Sequence, residues 1–260
     1  MSRKAQQNNY DRPEIWTDNY WNEIQFSRAA KTVKMLPPDI RTVLDVGCGA
    51  GIVTAELQKS FEIVFGTDYA FAPLQQLTAN QMKAVQSNAG NLPFAERSFD
   101  AVVLTEVVEH FHAPLRKKVI EEITRVAGKY ILLTVPYRET LEASQVKCED
   151  CGTIFHAWYH TLSFNEKKLD NLLKPNFRLM DIQTMGPLSG RSPAKLLRLA
   201  QVFDGYMRVG LGRTTCPNCG NTERFVRRRT PMASLFLGLS RIFWIKKYPR
   251  WIASLYQRID

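Results

Sequence analysis

With 260 residues, 45% hydrophobic and 23% charged, the chain suits one sizeable domain with appendages or one large and one small domain. Its polar opening (MSRKAQQNNYDRPEI) shows no apolar signal core, and no run reaches the roughly 20 apolar residues of a spanning helix, so a cytoplasmic location is expected and a helical membrane span is not. The net charge of +10 is concentrated in residues 221–260, which hold nine Lys and Arg against two acids; this excludes a nucleic-acid surface spread over the whole fold.

In chain order, residues 10–36 carry helical patterning that Pro37-Pro38 stops. Thr42–Val46 is a β-branched apolar run, Ile52–Ser60 a helix, and Ile63–Gly66 a second strand. Leu74–Asn80 reads as helix, Ala84–Gln86 as a weak third strand and Ala101–Leu104 as a strong fourth. Pro114–Val126 reads as helix, and Tyr130–Val135 as a buried strand ended by Pro136. Ser163 with Glu166 forms a capping box that opens a helix to about Leu173, and Leu179–Met185 is a sixth strand. Lys195–Phe203 is helical, and a basic aromatic tail follows. Such alternation predicts an α/β fold, a doubly wound, mostly parallel sheet with ligands beyond the carboxyl ends of its strands.

Asp45-Val46-Gly47-Cys48-Gly49-Ala50-Gly51 takes the first strand into a glycine-rich turn. Its spacing is GxGxG, not the GxGxxG of dinucleotide binding. A carboxylate inside the preceding strand would repel a diphosphate but suits an ammonium group. The turn therefore favours a cofactor that is part amino acid and part nucleoside.

This segment resembles motif I of the class I S-adenosylmethionine-dependent methyltransferases, and three later segments match in order. Asp68, ending Val64-Phe65-Gly66-Thr67-Asp68, resembles the acid that binds the ribose hydroxyls. Asn88-Ala89-Gly90-Asn91 resembles the adenine-side loop, where the family usually has Asp in place of Asn88. Thr105-Glu106-Val107-Val108-Glu109-His110 resembles the end of strand four in quinone and small-molecule methyltransferases. The resemblance covers about residues 40–185. It implies S-adenosylmethionine as cofactor, bound by Asp45, Gly47, Gly49, Gly51, Asp68, Asn88, Ala89 and Glu106. It also implies a seven-stranded Rossmann-like core at 41–186, behind an N-terminal helical cap at 1–40 and before a C-terminal extension at 187–260. Tyr20, Trp21 and Arg28 in the cap are candidates for binding the methionine carboxylate.

Cys148-Glu149-Asp150-Cys151-Gly152 and Cys216-Pro217-Asn218-Cys219-Gly220 are two CxxCG knuckles. A reducing, cytoplasmic location makes them metal ligands or thiols, not disulfides. Two such pairs form a closed tetrahedral four-cysteine site for structural zinc, with redox chemistry as the rival reading. Parallel strands five and six would bring the knuckles to one sheet edge as a small zinc-knuckle lid. Cys48 reads as a packing residue.

All four histidines follow strand four (His110, His112) or strand five (His156, His160), on the expected substrate side. His160, then His156, is the expected general base for a hydroxyl acceptor, with structural packing or metal binding as alternatives for each. No Asn-Pro-Pro-aromatic motif appears at Thr134-Val135-Pro136-Tyr137, so the pattern of adenine amino-group methylation is missing.

The tail at 224–260, expected to be helical, mixes Arg227, Arg228, Arg229, Lys246 and Lys247 with Phe236, Phe243, Trp244, Trp251 and Tyr256. It suits a peripheral contact with the inner face of a membrane, a helix packed on the sheet, or RNA. The chain also looks similar, more loosely, to bacterial methyltransferases of cell-surface glycans or lipid-linked sugars. Together these features predict O-methylation of a glycan, lipid-linked sugar or other small acceptor. An RNA methyltransferase and a non-catalytic binding module of the same fold are the alternatives.

Overall fold

The computed structural model describes residues 10–12, 16, 22–210, 212–243 and 247–259. The chain divides into two compact units. One holds the described parts of residues 10–137, 164–187 and 249–260, the other those of 138–163 and 188–248. The expected boundaries at 40/41 and 186/187 differ from this division. The N-terminal helix and the last dozen residues both belong to the first unit, and residues 138–163 belong to the second.

The first unit is built on α1 (Glu23–Val33), β1 (Thr42–Val46), α2 (Ile52–Gln58), β2 (Ile63–Asp68), α3 (Phe71–Ala79), β3 (Lys83–Gln86), β4 (Phe99–Thr105), α4 (Ala113–Val126) and β5 (Ala127–Pro136). Four further elements concern it or the second unit: β6 (Gln145–Lys147), β7 (Ile154–His156), α5 (Glu166–Asp170) and β8 (Phe177–Gly190). The chain continues with α6 (Ala194–Val202), α7 (Pro231–Ile242) and β9 (Lys247–Arg258). Seven strands form one sheet in the order β3-β2-β1-β4-β5-β9-β8. β1 pairs in parallel with β2 and β4, β2 with β3 and β4 with β5, while β9 runs antiparallel to β5.

Alternation along each strand sorts side chains onto two faces. Val43, Ala101, Val103, Leu132, Ala253 and Leu255 pack on one face with Ala29, Val33, Ile52 and Leu57. Leu44, Val102, Leu104, Ile131, Leu133 and Tyr256 pack on the other with Val119 and Ile123 of α4. Strands covered on both faces read as near-continuous apolar runs, and β1, β4 and β5 are legible in the sequence for that reason.

The expected helical tail is corrected. Among the described residues of 224–260 only α7 is a helix, and residues 247–258 are a strand of the sheet. Trp251 and Tyr256 are 1% and 0% exposed, so neither ring is offered to a bilayer. The capping box is also corrected: the N-cap of α5 is Asn165, whose side chain accepts the Lys168 N–H, and the helix ends at Asp170. Trp244 and Lys246 lie outside the described residues, as do Tyr20 and Trp21.

In the second unit β6 and β7 form an antiparallel hairpin with the first knuckle at its tip. Residues 224–226 run beside it: Glu149 N–H donates to the Arg224 carbonyl and Val226 N–H to that of Lys147. α6 and α7 meet through stacked Phe203 and Phe236 rings, and the Thr230 hydroxyl caps α7.

Candidate functional site

At the carboxyl end of β1 the chain turns through Gly47, Gly49 and Gly51, with φ of 73°, 51° and 88°. Positive φ at three alternate residues needs glycine. Gly47 is confined further, because a Cβ there would lie 2.4 Å from Val107 Cγ2. Gly51 caps α2, whose first turn follows the glycine loop directly.

Two acids brace the turn. Asp45 is wholly buried and accepts the Thr54 hydroxyl at 2.7 Å, tying β1 to α2. Burial pushes its carboxyl up to about 7 against the opposing bond from Thr54. Its second oxygen, Oδ1, has no hydrogen-bond partner among the described residues. Asp68, at the end of β2, accepts N–H groups from Gly49 at 2.9 Å and from Ala70 at 2.9 Å. The first of these bonds locks the glycine loop to the next strand. Burial pushes Asp68 up, and these amides oppose it.

Beyond β3, Asn88 accepts the Gly90 N–H at 3.0 Å, so its amide shapes the loop, and Ala89 packs against the core cluster that contains Val119. Glu106, just after β4, adopts a φ of 59°, a left-handed conformation that costs a non-glycine residue of order 1–3 kcal/mol. Its carboxylate accepts the Trp251 indole N–H at 2.7 Å and lies 3.6 Å from the Arg28 guanidinium. Arg28, on α1, is 5% exposed and stacks over the Trp251 ring at 5.1 Å. The structure thus assembles Arg28 with Glu106 and Trp251, a cluster of which the sequence exposes only the first two as candidates. Strand β9, which brings Trp251, is the missing signal. Cys48 is buried with Leu74 and Leu77, and burial pushes its thiol well above its ordinary value, consistent with a packing role.

In the second unit the four knuckle cysteines converge. Cys148 and Cys219 have sulfurs 3.6 Å apart, as do Cys151 and Cys216, and all four sulfurs lie within 4.8 Å of one another. A disulfide needs about 2.05 Å. A tetrahedral ion with metal–sulfur bonds of about 2.3 Å places sulfurs about 3.8 Å apart, so the set fits a tetrathiolate centre. In each knuckle the glycine N–H returns to the carbonyl of the first cysteine at 3.0 Å, with φ of 70° at Gly152 and 78° at Gly220. The expected route to this meeting is corrected: the knuckles are joined by the pairing of residues 147–149 with 224–226, not by parallel strands of the main sheet.

The histidine segment lies between the knuckles. His156 ends β7, and its ring stacks on His160 at 4.6 Å. Glu139, which the sequence does not single out, lies 2.6 Å from His160 Nδ1 and 3.4 Å from His156 Nε2. Tyr159 is buried, donating its hydroxyl to the Thr215 carbonyl at 2.6 Å, and the Thr214 hydroxyl donates to the Ala157 carbonyl at 2.8 Å. Both threonines immediately precede Cys216, so the second knuckle and the histidine loop share anchors.

Comparison with known proteins gives a consistent result. Residues 44–130 match the model of a methyltransferase domain family. A demethylmenaquinone methyltransferase of Corynebacterium kroppenstedtii is 32% identical over 84 residues, covering 32% of this chain and 37% of that protein. A probable S-adenosylmethionine-dependent methyltransferase of Mycolicibacterium smegmatis is 27% identical over 192 residues, 71% of this chain and 68% of that protein. The chain spans about half the length or less of several of the curated relatives it matches. Among solved structures, the 1,6-didemethyltoxoflavin-N1-methyltransferase of Burkholderia thailandensis superposes with a TM-score of 0.55 at 16% identity, covering 94% of this chain and 82% of that one. The seven-stranded sheet is the Rossmann-like fold of S-adenosylmethionine-dependent methyltransferases.

Proposed function

We propose that the chain is an S-adenosylmethionine-dependent methyltransferase that uses the glycine turn at 47–51 as its cofactor platform. One observation carries this reading: three positive-φ glycines at the end of β1, locked by the Gly49–Asp68 bond, within the segment that matches the methyltransferase domain. Asp45, Gly47, Gly49, Gly51, Asp68, Asn88, Ala89 and Glu106 would hold the cofactor, with Arg28 as the cation for its carboxylate. When bound, S-adenosylmethionine supplies an electrophilic sulfonium methyl group. Asp68 is already oriented by two backbone amides, so its carboxylate meets a vicinal diol without reorganisation. By calorimetry the wild type is expected to bind S-adenosylmethionine, and Asp68→Ala to weaken binding at least about tenfold, the loss of one charge-assisted hydrogen bond. Wild-type protein with no measurable binding would overturn the reading and favour a non-catalytic module.

For the acceptor we assign a hydroxyl of a glycan, lipid-linked sugar or similar small molecule, with His160 as the base, backed by His156. The four cysteines would hold a structural zinc ion, whose closed coordination leaves no open position for chemistry.

Peripheral contact with a membrane is supported by α6 and α7. Val202, Leu235, Ile242 and Phe243 are 75%, 53%, 76% and 54% exposed, and Arg198, Arg227, Arg228 and Arg241 are exposed on or beside the same helices. Among the described residues no helix is long and apolar enough to cross a membrane, so the contact would be interfacial. Vesicles with about 30% anionic lipid should co-sediment with the protein, neutral ones several-fold less, and raising salt from about 0.1 to 0.5 M should release much of the bound fraction. Leu235→Glu should weaken the binding. No vesicle binding, with tight RNA binding of steep salt dependence, would favour an RNA acceptor instead.

A further inference from the structure

We propose that Trp251, delivered by β9, is a positioning residue for the amino-acid end of the cofactor, a role that rests on the cofactor reading above. Its ring carries Arg28 and its indole N–H tethers Glu106, so the guanidinium stays open to a carboxylate.

The placement starts on α1. Arg28 and Thr32 stand four residues apart, on one face of the helix. Thr32 is buried, its hydroxyl 3.3 Å from that of Thr134 on β5 and 3.6 Å from Met185 Sδ on β8, which seats this face against the sheet. Arg28 thereby lies 5.1 Å from the centre of the Trp251 ring. The ring is closely fitted in turn: a Cβ at Gly186 of β8 would lie 2.5 Å from Trp251 Cε3, so the indole fills the space a side chain there would need.

An aromatic face attracts a cation without using up its N–H groups in ordinary hydrogen bonds. Arg28 is 5% exposed, and its Nε and Nη1 make no hydrogen bond among the described residues. A buried arginine ordinarily closes on a carboxylate as a two-pronged fork, at about 2.7–2.9 Å. Glu106 instead stands off at 3.6 Å, while its Oε2 accepts the indole N–H at 2.7 Å. The indole thus holds this carboxylate beside the guanidinium and short of the fork. A ligand carboxylate, planar and with two acceptor oxygens, matches the donors that are left.

The cluster stands at the glycine turn. Val107, the residue after Glu106, is the side chain that a Cβ at Gly47 would strike. Burial pushes the Asp45 carboxyl up, and the Arg28 charge is among the influences opposing it, so Arg28 is within electrostatic reach of the end of β1. Arg250 also lies over the Trp251 ring, at 4.8 Å, but it is exposed and water satisfies its donors.

Calorimetry with two ligands tests the role. S-adenosylmethionine carries the amino acid, whereas methylthioadenosine keeps the nucleoside and the sulfur and lacks it. Trp251→Phe keeps an aromatic face and removes the N–H, so Glu106 should close on Arg28 and compete with the ligand. Affinity for S-adenosylmethionine should fall about 10- to 100-fold, the worth of a charge-assisted hydrogen bond, with that for methylthioadenosine within about threefold. Arg28→Leu should show the same selective loss, and it carries the test if the Trp251 variant does not fold. In a Glu106→Gln background, Trp251→Phe should cost less than about threefold, since a neutral amide cannot neutralise Arg28. Equal losses for the two ligands would reduce these residues to packing and overturn the proposal. So would an undiminished cost of Trp251→Phe beside Glu106→Gln. Wild type that binds neither ligand would overturn the cofactor reading, and the positioning role with it.

Discussion

Cys216→Ser is expected to take the protein from about one zinc per chain to near none, and to unravel the second unit's knuckles while the seven-stranded sheet persists. The four thiolates come from two segments joined by few backbone bonds, so the ion carries much of the energy that keeps them together. Structural zinc in small peptide sites is worth about 10–16 kcal/mol in apparent terms, far more than the pairing of residues 147–149 with 224–226 supplies. The damage should spread to the histidine loop, since Thr214 and Thr215 hold Ala157 and Tyr159 immediately before the altered residue. Metal analysis of purified protein, together with the visible absorption of a cobalt-substituted sample, checks this. Wild type with far less than one equivalent, unchanged after adding zinc, would defeat the metal assignment.

Gly47→Ala is expected to weaken S-adenosylmethionine binding more than about 100-fold while costing the fold comparatively little. The added carbon would enter 2.4 Å from Val107 Cγ2, at a φ of 73° that costs an alanine about 1–2 kcal/mol. Either Val107 or the turn must shift, and the turn is the softer partner because Val107 packs against the core cluster that contains Val119 and Ile123. A platform displaced by an ångström loses several ligand contacts at once, hence the size of the effect. Gly238→Ala in α7 is the control: nothing lies within 4 Å of its new carbon, and alanine gains about 1 kcal/mol of helix propensity over glycine. Equal loss of binding in both variants would show that the close approach at Gly47 is irrelevant.

Much of the sheet unit is legible in the sequence because its strands are covered on both faces. Thr42–Val46 is a strand by composition alone, and its glycines identify the turn before any coordinates do. β9 is not legible in the same way. Trp-Ile-Ala-Ser-Leu-Tyr at 251–256 is a buried apolar run, but flanking cations and Pro249 give it the look of a surface tail. The two faces separate only when Trp251, Ala253 and Leu255 are seen on one side and Tyr256 on the other. Glu139 escapes notice for a different reason: an acid 17 residues before one histidine and 21 before another has no local spacing rule, and only folding brings it between them. The cysteines are the opposite case, since CxxCG declares its geometry within five residues.

The position of β9 has a consequence for biogenesis. Its partner β5 is complete at Pro136, and more than a hundred residues must be translated before Trp251 begins the pairing. Throughout that interval the nascent polypeptide displays an open row of amides along Ile131–Val135, the feature that most readily recruits a stray strand from another molecule. Ribosome-associated chaperones therefore have a defined window in which to act, and it closes when β9 docks.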